Sequence, residues 1–130
     1  MERRAGDRGE VSAQVAVLAP VLFTLVFAVV HVSVLWTASQ TASIAARRGA
    51  RAASAQSTGS QYFLAAATSI ESTVQELGAR LAASPRVSRG ATSVSVEVSV
   101  GFRSIVPFMP DTVTRSVTVP LEMYLRESDR

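Results

Sequence analysis

The sequence predicts an α+β chain: a long N-terminal transmembrane stem helix, a second amphipathic helix, and a C-terminal antiparallel β-hairpin or small sheet. Three observations predict it. An apolar run free of Asp, Glu, Lys and Arg covers residues 15–36. Apolar residues then recur at spacings of three and four over 61–83, and apolar and polar residues alternate strictly over 93–102. A chain of 130 residues leaves room for one small domain beyond the stem.

The apolar run reads VAVLAPVLFTLVFAVVHVSVLW. Its twenty-two residues span roughly 33 Å as a helix, against about 30 Å for a bilayer core. A chain this short has no core able to surround such a helix, so the run reads as a membrane span. It exceeds the h-region of a secretory signal, and no Ala-x-Ala site follows it until Ala50-Arg51-Ala52, so the helix reads as a retained anchor. Pro20 removes one backbone donor, a kink that membrane helices tolerate. Thr24 and Ser33 can bond back to the preceding turn. His31 is the sole histidine, and with no His, Cys or carboxylate close by it reads as a neutral imidazole at the interface or against a neighbouring helix.

Helical pattern continues without proline from Trp36 to Ala55, giving a stem over 10–55. Ala45, Gly49 and Ala53 lie four apart, as do Ala38, Ala42, Ala46 and Ala50. Such stripes let another helix approach closely, although plain alanine abundance produces the same pattern. Arg47, Arg48 and Arg51 read as interfacial, facing headgroups or water. Ser57-Thr58-Gly59-Ser60 is a polar break before the head, 61–130.

Within the head, Phe63, Ala67, Ile70, Val74, Leu77 and Leu81 form one stripe of a helix over 61–83, which Ser84-Pro85 stops. Val94, Val96, Val98, Val100 and Phe102 then make one face of a strand. After a connection containing Pro107 and Pro110, a second strand places Val113, Val117, Val119, Leu121, Met123 and Leu125 on one face, interrupted by Arg115. Pro120 marks that strand as an edge or a bend. An isolated hairpin is marginal, so the helix or a partner subunit must cover its valines.

Composition bounds the function. There is no Cys, hence no disulfide framework and no thiolate metal site. All thirteen basic residues are Arg, and those beyond residue 52 are isolated, which argues against nucleic-acid binding. No nucleophile elbow, phosphate-binding glycine loop or metal-ligand spacing occurs, and His31 lies inside the span. The expectation is therefore no enzyme and no cofactor. Charge counting leaves the orientation open: Arg3, Arg4 and Arg8 precede the span, while Arg47, Arg48 and Arg51 follow it.

These features resemble the TadE-like family, minor pilins or pseudopilins of tight-adherence (Tad) pilus systems within the type IV filament superfamily. The resemblance rests on Gly9 closing a short basic leader, the apolar run six residues later with Pro20 early in it, and the block Ala45-Ala46-Arg47-Arg48-Gly49-Ala50-Arg51-Ala52-Ala53. It implies that a membrane prepilin peptidase removes leader 1–9 by cutting between Gly9 and Glu10. It further implies a cytoplasmic N-terminus, an extracytoplasmic head, and partners among other pilins, pseudopilins and the pilus assembly platform. One position departs from the pattern. The fifth mature residue, usually Glu, is Gln14, which can hydrogen-bond but brings no charge. That favours an accessory, assembly-initiating or tip role over a bulk shaft subunit. A signal-anchored binding protein outside any filament shares every feature except the Gly9 leader and the Gly-Ala-Arg block.

Overall fold

The computed structural model describes residues 6–56, 60–104 and 106–121, with side chains from residue 12 onward. Helix α1 (Gly6–Ser54) is one continuous rod of 49 residues, about 74 Å long at the usual rise. Pro20 lies inside it without ending it. The hydroxyls of Thr24 and Ser33 donate to the carbonyls of Pro20 and Val29, four residues back, at 2.8 and 2.9 Å. Among the described residues α1 is the one helix long and apolar enough to cross a membrane, which fits a single-pass membrane protein. From Ser12 to Phe27 every side chain except Ala19 is exposed. This apolar surface is not the core of a soluble fold.

The C-terminal half of α1 has a different character. Ala38, Thr41, Ala42, Ala45, Ala46, Gly49, Ala50 and Ala53 are buried on one face, and all are small. Helix α2 (Gln61–Glu76) and the sheet lie on that face. Large core side chains come from those elements: Ile70 and Val74 from α2, and Val94, Val96, Val98 and Val100 from the central strand. Burying each valine fully contributes about 1.5–3 kcal/mol.

The second helix is shorter than its periodicity predicts. It ends at Glu76 rather than running to residue 83, because Gly78 takes a left-handed φ of 67°. The Gly78 N–H donates to Gln75 and the Ala79 N–H to Val74, each at 2.9 Å, a complete Schellman closure. Its buried face also differs, with Ala66, Ile70, Thr73 and Val74 inward while Phe63 and Leu77 are exposed.

Four strands follow: β1 (Arg80–Leu81), β2 (Arg86–Arg89), β3 (Ser93–Gly101) and β4 (Thr112–Pro120). All pair antiparallel with β3, β4 on one side and β1 and β2 on the other. Ser84 and Pro85 sit in the gap between β1 and β2, not at a helix end. The sheet's inner face carries the β3 valines opposite Val113, Val117 and Val119. Its outer face is polar, with hydroxyl pairs Ser99–Thr114 at 2.8 Å and Ser95–Thr118 at 3.2 Å, and an Arg86–Glu97 ion pair at 3.1 Å. Positions 122–125 of the second predicted strand lie outside the described residues, so Met123 and Leu125 are not placed.

Candidate assembly surface

Chemistry-bearing side chains are dispersed on this scaffold. Among the described residues no three His, Asp or Glu side chains come together as a metal site. Glu71 is exposed, and Glu76 pairs with Arg48 at 3.1 Å. What the molecule presents instead is apolar surface along α1, and the way the head is fixed to it.

Three polar contacts fix that position. Arg48 reaches both Thr73, at 3.4 Å, and Glu76 on α2. Arg115, the residue that interrupts the apolar face of β4, turns its guanidinium to the Ser39 hydroxyl at 2.7 and 3.0 Å. Arg89 donates to the Gln56 carbonyl and stacks over the Tyr62 ring, 5.6 Å from its centroid. The apolar closure between α1 and α2 centres on Gly49. A Cβ there would stand 2.5 Å from Ile70 Cγ1 and 2.7 Å from its Cδ1, so only glycine admits this approach.

The head rides far down the stem. His31 is buried, with its ring edge-on to Phe102 at 5.9 Å, and its Nε2 has no hydrogen-bond partner among the described residues. A cleft of about 900 Å³ opens beside it, between the Val29–Thr41 side of α1 and the segments around Leu77–Arg80 and Val100–Arg103. A second, of about 340 Å³, lies lower still, where Val106, Pro107 and Met109 face Thr24, Phe27 and Ala28. From Thr24 onward the predicted span 15–36 is thus partly covered by the protein's own head.

The sequence-predicted positions fall as follows. Gly9 and Glu10 lie within the first turns of α1, with side chains outside the description, as is the whole of Arg3 and Arg4. Gln14 is exposed on α1, as are Pro20, Arg47 and Arg51. Ala45, Gly49 and Ala53 share the buried face. Sequence reasoning placed the β3–β4 connection with its Pro107 and Pro110, but did not find that it reaches the stem, nor the Arg48–Glu76 and Arg115–Ser39 ties. Loop composition was the available signal, since Val106 to Pro110 holds no charged residue.

Residues 9–51 match the family model described as TadE-like protein. This segment, about a third of the chain, is TadE-like. No curated protein and no solved structure matches the chain.

Proposed function

From this TadE-like stem, we propose that the protein is a membrane-anchored minor pilin or pseudopilin of a Tad-type pilus or secretion system, acting structurally rather than catalytically. The family match over residues 9–51 carries the reading. In it, α1 is the assembly element: its exposed apolar half is stored in the bilayer and is available to pack against other pilin-type helices. A cut at the Gly9–Glu10 bond, in the first turns of α1 and ahead of the apolar run, leaves that run on the mature protein. The N-terminus faces the cytoplasm and the head lies outside. Prepilin peptidase, other pilins and the assembly platform are the partners.

Gln14 shapes the role. A carboxylate in low dielectric can pair with a neighbouring subunit's terminal amine, whereas an amide offers a hydrogen bond without the compensating charge. That difference favours initiation or tip placement over the shaft.

Mass spectrometry of the membrane-extracted protein, from cells with an active prepilin peptidase, tests the reading. A mature N-terminus at Glu10 is the expected result. An intact Met1 would contradict it and leave a signal-anchored protein outside any filament.

A further inference from the structure

We infer that the tip of the β3–β4 loop, Val106 to Pro110, is a second membrane contact that inserts among lipid acyl chains at the headgroup boundary of the leaflet nearest the head. The inference rests on the anchoring of α1 in the bilayer.

Position is the first ground. Val106, Pro107 and Met109 face Thr24, Phe27 and Ala28, inside the apolar run of the stem. At 1.5 Å per residue the tip stands roughly 12–18 Å on the N-terminal side of Trp36. Whatever surrounds the stem at Thr24–Ala28 also surrounds the loop, so the loop continues the lipid-facing surface of α1.

The chemistry of the tip matches that surrounding. No residue from Ser104 to Pro110 is charged, and the flanking Arg103 and Asp111 are both exposed at the loop's base, where headgroups would meet them. Phe108 is 106% exposed and Met109 44%, an arrangement that water disfavours and acyl chains favour. Phe108 is also held at φ 71°, in a turn closed from the Met109 N–H to the Val106 carbonyl with Pro107 at its second position. That turn normally takes glycine at this corner, and here it projects a phenyl ring outward.

Irregular backbone is barred from the bilayer core unless its polar groups are satisfied. At this tip the Val106 and Phe108 N–H groups and the carbonyls from Pro107 to Pro110 carry no hydrogen bond among the described residues, so it goes no deeper than the headgroup boundary, where water and headgroups meet them. Pro107 and Pro110 have no N–H, the Met109 N–H is bonded, and the Val106 carbonyl also accepts from the Ser104 hydroxyl at 2.7 Å. At the loop's base the Phe102 N–H donates to the Asp111 carbonyl at 2.9 Å. Interfacial insertion of about 5–10 Å suits such a tip. It also shifts the membrane boundary: a twenty-residue span over 13–32 puts Thr24–Ala28 roughly 6–12 Å below the surface, with the Phe102–His31 contact at the edge.

The absence of native cysteine allows one spin label at a time in the full chain. Phe108→Cys is labelled with a nitroxide in phosphatidylcholine vesicles, with Thr118→Cys on the polar sheet face and Leu18→Cys on the stem as references. Met109→Cys repeats the reading, and circular dichroism verifies the fold. The expected oxygen-to-nickel-chelate accessibility ratio at 108 is several-fold above that at Thr118 and close to that at Leu18. A ratio equal to that at Thr118 would overturn the insertion. So would protection from both reagents with spin–spin broadening, which would mean a second copy on the loop. Nickel access at Leu18 itself would instead overturn the anchoring of the stem.

Discussion

Gly49 and Ile70 set how closely the head can lie on the stem. An alanine at position 49 brings two opposing effects. It gains helix propensity of about 1 kcal/mol, yet overpacking a filled site costs typically about 1–3 kcal/mol. Ile70 is fully buried, and the nearer clash is with its Cγ1 methylene, next to the branched Cβ, rather than with the free Cδ1 end, so the cost wins. Gly49→Ala is expected to lower the thermal midpoint of the detergent-solubilised protein, a net loss of up to about 2 kcal/mol. An unchanged or raised midpoint, followed by circular dichroism, would contradict that packing. The small-residue stripes were visible in the sequence because spacing four survives any environment. Which partner they meet was not visible, since α2 and a lipid-borne helix ask for the same alanines. Arg48 shows the same limit. Its charge was evident, but its pairing with Glu76 depends on where α2 crosses. Both partners are more than half exposed, so the pair contributes at most about 1 kcal/mol.

At the scale of elements, periodicity found the long pieces and overran the short ones. The stem, α2, β3 and β4 each carry their pattern over nine residues or more. Leu77 and Leu81 continue the α2 stripe on paper, but Gly78 reverses the chain between them and Leu81 enters β1. A two-residue and a four-residue strand carry too little alternation to be read, so β1 and β2 were hidden within a helix tail and a loop. Gly78 therefore holds the decision. Its position has no atom within 4 Å of a built Cβ, so Gly78→Ala isolates the backbone term. The left-handed conformation costs an L-residue about 1–2 kcal/mol, and denaturant midpoints should fall accordingly. Gly90→Ala serves as the comparison, because a Cβ there meets only ordinary contacts, the nearest at 3.5 Å, and no positive φ is required. Equal effects at the two glycines would contradict this account of where α2 ends.

At the scale of the molecule, one helix does two jobs along its length. Between Ser12 and Phe27 it is exposed and largely apolar, while its C-terminal half is a small-residue platform for the α+β head. The division accounts for a core assembled from large side chains of α2 and β3 against alanines of α1. It also leaves the head standing beside the apolar stem. The proposed arrangement buries the stem in the bilayer and leaves the body of the head, all but its 106–110 tip, outside the cell membrane. Single cysteines at Leu18 and Thr118, probed on intact cells with a membrane-impermeant maleimide, test it most directly. Thr118→Cys is expected to label on intact cells, and Leu18→Cys only once the membrane is dissolved. Labelling of Thr118→Cys only after lysis, or equal labelling at both sites on intact cells, would contradict it.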